Sequence, residues 1–220
     1  MPGPDRHLRL YLLRHGEPAR RDLFYGHFDV ALSETGHAQS HAQAQRLAER
    51  ELLAVASSDL TRARLGAQRV AAKHEVEVDV FEALREMHLG VLENVPFADA
   101  MQQVPQLAGR SYLDMLDFAF PGGGESVLDV AKRAVPCVED WIRAVARKHP
   151  EVKRPGVAVV AHNTVTRILL AVAAGLGPAG YGRFSQRYGA ISRVDVPLRQ
   201  TKADWSSAVI AYANRDPTWA

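Results

Sequence analysis

The sequence predicts an α/β fold, a three-layer α/β/α arrangement around a mixed, mostly parallel central sheet with a small helical cap inserted in it. Three observations predict it. Residues 8–13 and 157–161 are short runs dense in apolar and β-prone side chains, as expected of strands covered on both faces. Between and after them, strand-like and helix-like patterns alternate, the order from which parallel sheets are built. Repeats, linkers and low-complexity tracts are missing from the 220 residues, so one domain over residues 1–220 is expected, with the cap at about 87–121.

The elements follow in order. The opening run Leu8-Arg9-Leu10-Tyr11-Leu12-Leu13 is the first strand. Ser33 or Thr35 can cap a helix rich in Ala, Gln and Arg that extends to about Arg50. Residues 52–56 form a short strand ending at Ser57-Ser58-Asp59, and helical spacing resumes through Leu60, Ala63, Ala67, Val70 and Ala71. Residues 75–81 alternate weakly, a peripheral strand leading to Leu84-Arg85-Glu86. From Met87 to Phe120 periodicity is lost among Pro96, Pro105 and Gly109, which predicts short helices in the cap. Phe97, Met101, Tyr112 and Phe118 are read as cap core rather than as a substrate pocket. A break at Pro121-Gly122-Gly123-Gly124 precedes a long helix to Lys148, where Pro136 introduces a kink. The buried strand at 157–161 then stops at His162 before another helix over 164–174, and residues 190–196 and 208–213 supply two last strands, the final one at an edge.

Composition narrows the function. A formal charge of +2 gives no broad basic face for nucleic acid, and no apolar stretch is long enough for a signal peptide or a membrane span. With a single cysteine, Cys137, internal disulfides are excluded, so a cytoplasmic protein is expected, with no nucleic acid and no membrane as partners. A homodimer stays open. Cys137 and Arg143 have the Cys-x5-Arg spacing of cysteine-dependent phosphatases, but the residues between them lack glycine, carry two acids and sit in a helical pattern. Cys137 is therefore read as a small buried hydrophobe. His37 and His41 lie four apart without a carboxylate or Cys ligand nearby and are read as surface residues, so no metal is expected.

Chemistry gathers at the strand ends. In open α/β sheets ligands collect beyond the carboxyl ends of strands, where Arg14-His15-Gly16-Glu17 follows the first strand and His162 follows the other buried one. A neutral imidazole can attack phosphorus, and a neighbouring guanidinium offers a planar fork of donors to phosphoryl oxygens. Gly16 would let the backbone approach such a ligand closely. Arg62 and Glu86 stand at two further turns that a parallel sheet can gather on the same side. Glu86 is the carboxyl group able to protonate a leaving oxygen and then deprotonate water.

Leu13-Arg14-His15-Gly16-Glu17, Ser58-Asp59-Leu60-Thr61-Arg62-Ala63, Leu84-Arg85-Glu86 with Gly90, Gly123-Gly124-Glu125-Ser126 and Val159-Val160-Ala161-His162 resemble, in order and spacing, the histidine phosphatase superfamily, also called phosphoglycerate-mutase-like. Gly26, Asp29 and Leu32-Ser33-Glu34-Thr35-Gly36 match as well, and the likeness covers about residues 8–196. The resemblance implies that His15 accepts the phosphoryl group, that Arg14, Arg62 and His162 form the phosphate pocket, and that Glu86 is proton donor and later base. It implies no metal or organic cofactor, a small phosphorylated metabolite as substrate, and an acid-type histidine phosphatase. The short stretch between Glu86 and the Gly-Glu-Ser block favours the phosphatase branch over a mutase; a binding module without turnover is the reading from another class.

Substrate-binding candidates are Arg21, standing about where the family often has a phosphate-contacting Asn, together with Gly26 and Asn163, whose N–H lies at a helix start. The chain departs from the family pattern at Pro18, at Leu92-Glu93-Asn94, which lacks the usual Trp, and at Asn163-Thr164. Glu17 is read as orienting its basic neighbours, and Glu125 and Ser126 as serving the start of the long helix.

Overall fold

The computed structural model describes residues 6–110, 112–200 and 202–219. In chain order it contains β1 (Arg6–Arg14), β2 (Leu23–Phe24), α1 (Glu34–Leu47), β3 (Ala54–Ser57), α2 (Thr61–Ala71), β4 (Val78–Val80), β5 (Val95–Pro96) and α3 (Ala100–Gln103). These are followed by α4 (Val127–Lys148), β6 (Gly156–Ala161), α5 (Asn163–Ala173), β7 (Ile191–Arg199), β8 (Lys202–Ala203) and β9 (Val209–Arg215). The sheet runs β4-β3-β6-β1-β7, with β8 and β9 both on the far side of β7. The pairs β4–β3, β3–β6 and β6–β1 are parallel, whereas β7 is antiparallel to β1, β8 and β9, so the sheet is mixed and mostly parallel at its centre.

Alternation in the two central strands builds the layers. Leu8, Leu10 and Leu12 of β1 and Val157 and Val159 of β6 pack under α4 and α5, while Tyr11, Leu13, Ala158 and Val160 face α1 and α2. Every residue of β6 is buried, as its unbroken apolar run requires. Helix α4 carries a capping box in which Ser126 and Asp129 satisfy each other's backbone N–H groups, and it continues through Pro136 to Lys148.

Register is the property that makes a site. Arg14 of β1 lies opposite Ala161 of β6, and Ser57 of β3 lies opposite Val160, so three neighbouring strands end nearly level. The residues just past those ends, His15, His162 and Ser58, therefore emerge side by side.

Several boundaries differ from the sequence expectation. The third strand is Ala54–Ser57 and not 52–56, and the weakly alternating stretch forms only Val78–Val80, because Glu75 takes a left-handed turn (φ 55°) that uses up the preceding residues. The ribbon of β2 with β5 and the hairpin strand β8 had no sequence signal; each is two residues long and exists through a partner supplied from elsewhere. The cap has its own small core of Leu89, Leu92, Val95, Ala100, Val104 and Phe120, with Phe118 packed against it. Phe97 and Met101 are corrections: they are 51% and 53% exposed, because they stand on the wall of a cavity and not inside the cap. The side chain of Tyr112 lies outside the described residues. Cys137 is half-buried against the main core on α4.

Candidate active site

His15 is buried, and its Nδ1 lies 2.7 Å from the carbonyl oxygen of Gly16. A carbonyl only accepts, so Nδ1 carries the proton and the Nε2 lone pair is left free. Burial, then the charges of Arg62 and Arg14, hold the ring well below the ordinary imidazole range, which keeps it neutral. The result is an oriented, uncharged imidazole with one free lone pair.

The loop that carries it is clamped by α1. Gln43 donates to the carbonyl of Arg14 (2.9 Å), Gln39 accepts from the N–H of Glu17 (2.8 Å), and Ser33 caps the helix by accepting from Gly36. Gly16 and Gly36 approach so closely that a Cβ on Gly16 would stand 2.7 Å from the Cα of Gly36, and one on Gly36 would stand 2.8 Å from the nitrogen of Glu17. Gly16 thus serves backbone against backbone, and the expectation that it clears space for a ligand is corrected. Glu17 turns to Ser33 (3.2 Å) and Arg21 (3.2 Å).

His162 is the N-cap of α5, and its ring centroid lies 5.0 Å from that of His15. Its Nε2 meets Ser58 Oγ at 2.7 Å. Burial, then Arg62, His15 and Arg14, keep this imidazole neutral as well. Arg14 donates to the carbonyl of Gln186 (2.7 Å) and lies 3.8 Å from the centre of the Tyr188 ring. Arg62, fully buried, donates to the carbonyls of Phe28 (3.0 Å), Tyr25 (3.1 Å) and Gly26 (2.7 Å), which fixes the loop in front of His15. Three nitrogens in this group, Nε of Arg14, Nε of Arg62 and Nδ1 of His162, are buried without a hydrogen-bond partner. The two guanidinium N–H groups are donors whose unmet state costs about 1–3 kcal/mol each, so the pocket suits an acceptor, and Nδ1 of His162 joins them as a donor when Ser58 Oγ donates to its Nε2.

Arg14, His15, Tyr25, Gly26, Glu86 and Asn163 line one cavity of about 440 Å³. The Glu86 carboxylate is held by the backbone N–H groups of Met87 (2.9 Å) and Thr164 (3.2 Å), the second of these in the first turn of α5. Behind it, Arg133 donates to the carbonyls of Ala83, Arg85 and Glu86 and pairs through two nitrogens with Glu125, while His27 Nε2 donates to the Glu86 carbonyl at 2.8 Å. Glu125 therefore braces the turn that presents Glu86.

Of the sequence candidates, Arg14, His15, Glu86, Gly26 and Asn163 face the cavity; Arg62 and His162 back it. Arg21 does not join them: its side chain is exposed and paired to Glu17. Gly26 has a packing reason, since a Cβ there would reach within 2.9 Å of Leu89 Cγ and closer still to the Met87 carbonyl.

A family model described as the histidine phosphatase superfamily (branch 1) matches residues 10–206. The chain belongs to that superfamily. It is 32% identical over 170 residues to a glucosyl-3-phosphoglycerate phosphatase of Mycolicibacterium vanbaalenii, covering 76% of this chain and 75% of the relative. It is also 32% identical over 196 residues to a probable phosphoglycerate mutase of Photorhabdus laumondii, with 86% and 85% covered. Among solved structures, a mycobacterial glucosyl-3-phosphoglycerate phosphatase superposes with a TM-score of 0.80 at 28% identity, covering 95% of this chain and 99% of that one.

As a member of this superfamily, the chain has partners in its site that sequence reading missed. Ser58 orients His162, Gln186 receives Arg14, and Tyr25 and Tyr188, hydrogen-bonded through their hydroxyls, lie against Arg62 and Arg14. Ser58 lies in the stretch Ser58-Asp59-Leu60-Thr61-Arg62-Ala63, and its position just past a strand end is the signal that marks it. Nothing in the local sequence singled out Tyr25 or Tyr188.

Proposed function

We propose that this chain is a phosphomonoesterase that moves the phosphoryl group of a small phosphorylated metabolite first to His15 and then to water. The observation that carries this reading is the neutral His15 ring, proton pinned on Nδ1 and Nε2 free, together with the buried Nε–H groups of Arg14 and Arg62 that lack an acceptor. In the first half-reaction Nε2 attacks phosphorus, the bond from phosphorus to the leaving oxygen breaks, and Glu86 gives its proton to that oxygen. Arg14, Arg62 and His162 meet the charge spread over the equatorial oxygens, as positioning and electrostatics do in phosphoryl transfer. In the second, Glu86 takes a proton from water, the water oxygen bonds to phosphorus, and the nitrogen–phosphorus bond breaks to release inorganic phosphate.

The lowered proton affinity of His15 keeps this nucleophile uncharged in mildly acidic solution, so turnover should persist below neutral pH. A mutase shares the first half-reaction but returns the phosphoryl group to a bound sugar acid. The mutase name of one relative makes this worth assaying directly.

Release of phosphate from a generic aryl phosphate tests the proposal. Wild-type protein should turn over, and His15→Ala should lose activity by about 10³-fold or more, as removal of a nucleophile does. Activity unchanged by that substitution, or interconversion of phosphoglycerates with no phosphate released, would overturn it.

A further inference from the structure

The cavity that holds His15 has two unlike ends. One is the charged end of Arg14, His15 and Glu86; the other is walled by Phe24, Phe97, Met101, Leu107, Met115 and Phe120. The rings of Phe24 and Phe97 meet edge to face at 4.6 Å, which makes a firm aromatic wall from β2 and the turn after β5. Phe97 and Met101 are among the most exposed large apolar side chains of the described residues, and both stand on this same cavity. Arg110, also on the lining, has its guanidinium 4.5 Å from the Phe118 ring and its nitrogens donating to the carbonyls of Gln106 and Asp114. Two of its three guanidinium nitrogens, Nε and Nη1, are thus turned toward the chain itself.

A polyhydroxylated leaving group would need a hydrogen-bond partner for each hydroxyl it buries, and apart from the remaining guanidinium nitrogen of Arg110 the Phe, Met and Leu side chains of this wall offer none. An apolar leaving group loses nothing there and covers Phe97 and Met101. Resting on the phosphatase reading above, we infer that the preferred substrates are phosphate monoesters of bulky apolar alcohols, alkyl or aryl, whose hydrocarbon part lies against the cap while the phosphate faces His15. Met supplies adaptable surface and Phe supplies area, so the wall selects hydrocarbon bulk rather than one shape.

The test is a homologous series in which the leaving oxygen stays chemically constant. Dissociation constants of non-hydrolysable n-alkylphosphonates, from ethyl to hexyl, are measured by calorimetry, and phosphate release is followed from the matching alkyl phosphates and from glycerol phosphate. Burial of each methylene should tighten phosphonate binding by about threefold over this range, and kcat/KM for hexyl phosphate should exceed that for glycerol phosphate by about tenfold or more. In Phe97→Ser/Met101→Ser, both positions exposed and outside the cores, the dependence on chain length should flatten. Binding independent of chain length, tighter binding of a polyhydroxylated phosphonate, or a slope unaffected by the double substitution would overturn the inference. Binding that tightens with chain length but with no phosphate released from any ester would uphold the apolar site and defeat the phosphatase reading instead.

Discussion

At single residues, the position of one proton decides what His15 can do. The Gly16 carbonyl fixes the His15 tautomer, and the surrounding guanidinium charge together with burial opposes protonation of Nε2. The acid limb of the kcat/KM profile should therefore lie below the ordinary imidazole value of about 6.5, since the nucleophile is lost only when His15 is protonated. A limb at or above that value would contradict the assignment. In the proposed mechanism Glu86 protonates the leaving oxygen, so its importance should scale with how poor that oxygen is as a leaving group. Glu86→Gln should slow an alkyl phosphate by about 10²–10⁴-fold and an aryl phosphate much less; equal losses for both would remove it from that step. His15, His162, Arg14, Arg62 and Glu86 were legible because each stands at the end of an apolar run or inside a spaced motif. Tyr25 and Tyr188 were not, because their meeting depends on loops more than 160 residues apart converging above the sheet.

At the scale of elements, α1 shows how a helix with little apolar character can be indispensable. Its Gln39, Gln43 and Gly36 fasten the loop that bears His15, and Gly36 is packed against the backbone of Glu17 with no room for a side chain. Gly36→Ala should cost about 1–3 kcal/mol or more, the range for overpacking, measured by urea denaturation, with a matching loss of activity. An unchanged midpoint would show that the helix yields easily and that the clamp is weak. Sequence reading found this helix from its cap and composition but could not reveal that its glycine meets another glycine's neighbourhood, because close approach is a property of two distant segments. The cap illustrates the same limit. Its existence followed from lost periodicity, whereas the placing of Phe97 and Met101 on a cavity wall depends on the β2–β5 ribbon, which two residues per strand cannot announce.

At the scale of the whole molecule, level strand ends convert a mostly parallel sheet into a site. The order β4-β3-β6-β1 brings Ser58, His162 and His15 together at the carboxyl ends of their strands, and α5 starts there with the N–H of Thr164 on Glu86. The same arrangement has a thermodynamic consequence. His15 and His162 are both buried with proton affinities well below those they would have in the unfolded chain. Below about pH 6.5 the unfolded state binds more protons than the native one, so these two groups make stability fall as pH drops through that window and add nothing above it. Urea midpoints measured between mildly acidic and neutral pH should show this slope, and His162→Asn should reduce it. A slope of opposite sign would mean that the imidazoles are charged in the folded protein.

The central claim is that a covalent bond forms between phosphorus and Nε2 of His15. It is tested most directly by mixing protein with excess aryl phosphate, quenching rapidly into alkaline denaturant, where a nitrogen–phosphorus bond survives, and locating the phosphoryl group by peptide mass spectrometry. One phosphoryl group is expected on the peptide containing His15, present during turnover and missing in His15→Ala. Phosphate released steadily while that peptide stays unmodified, or the phosphoryl group found on another side chain, would contradict it.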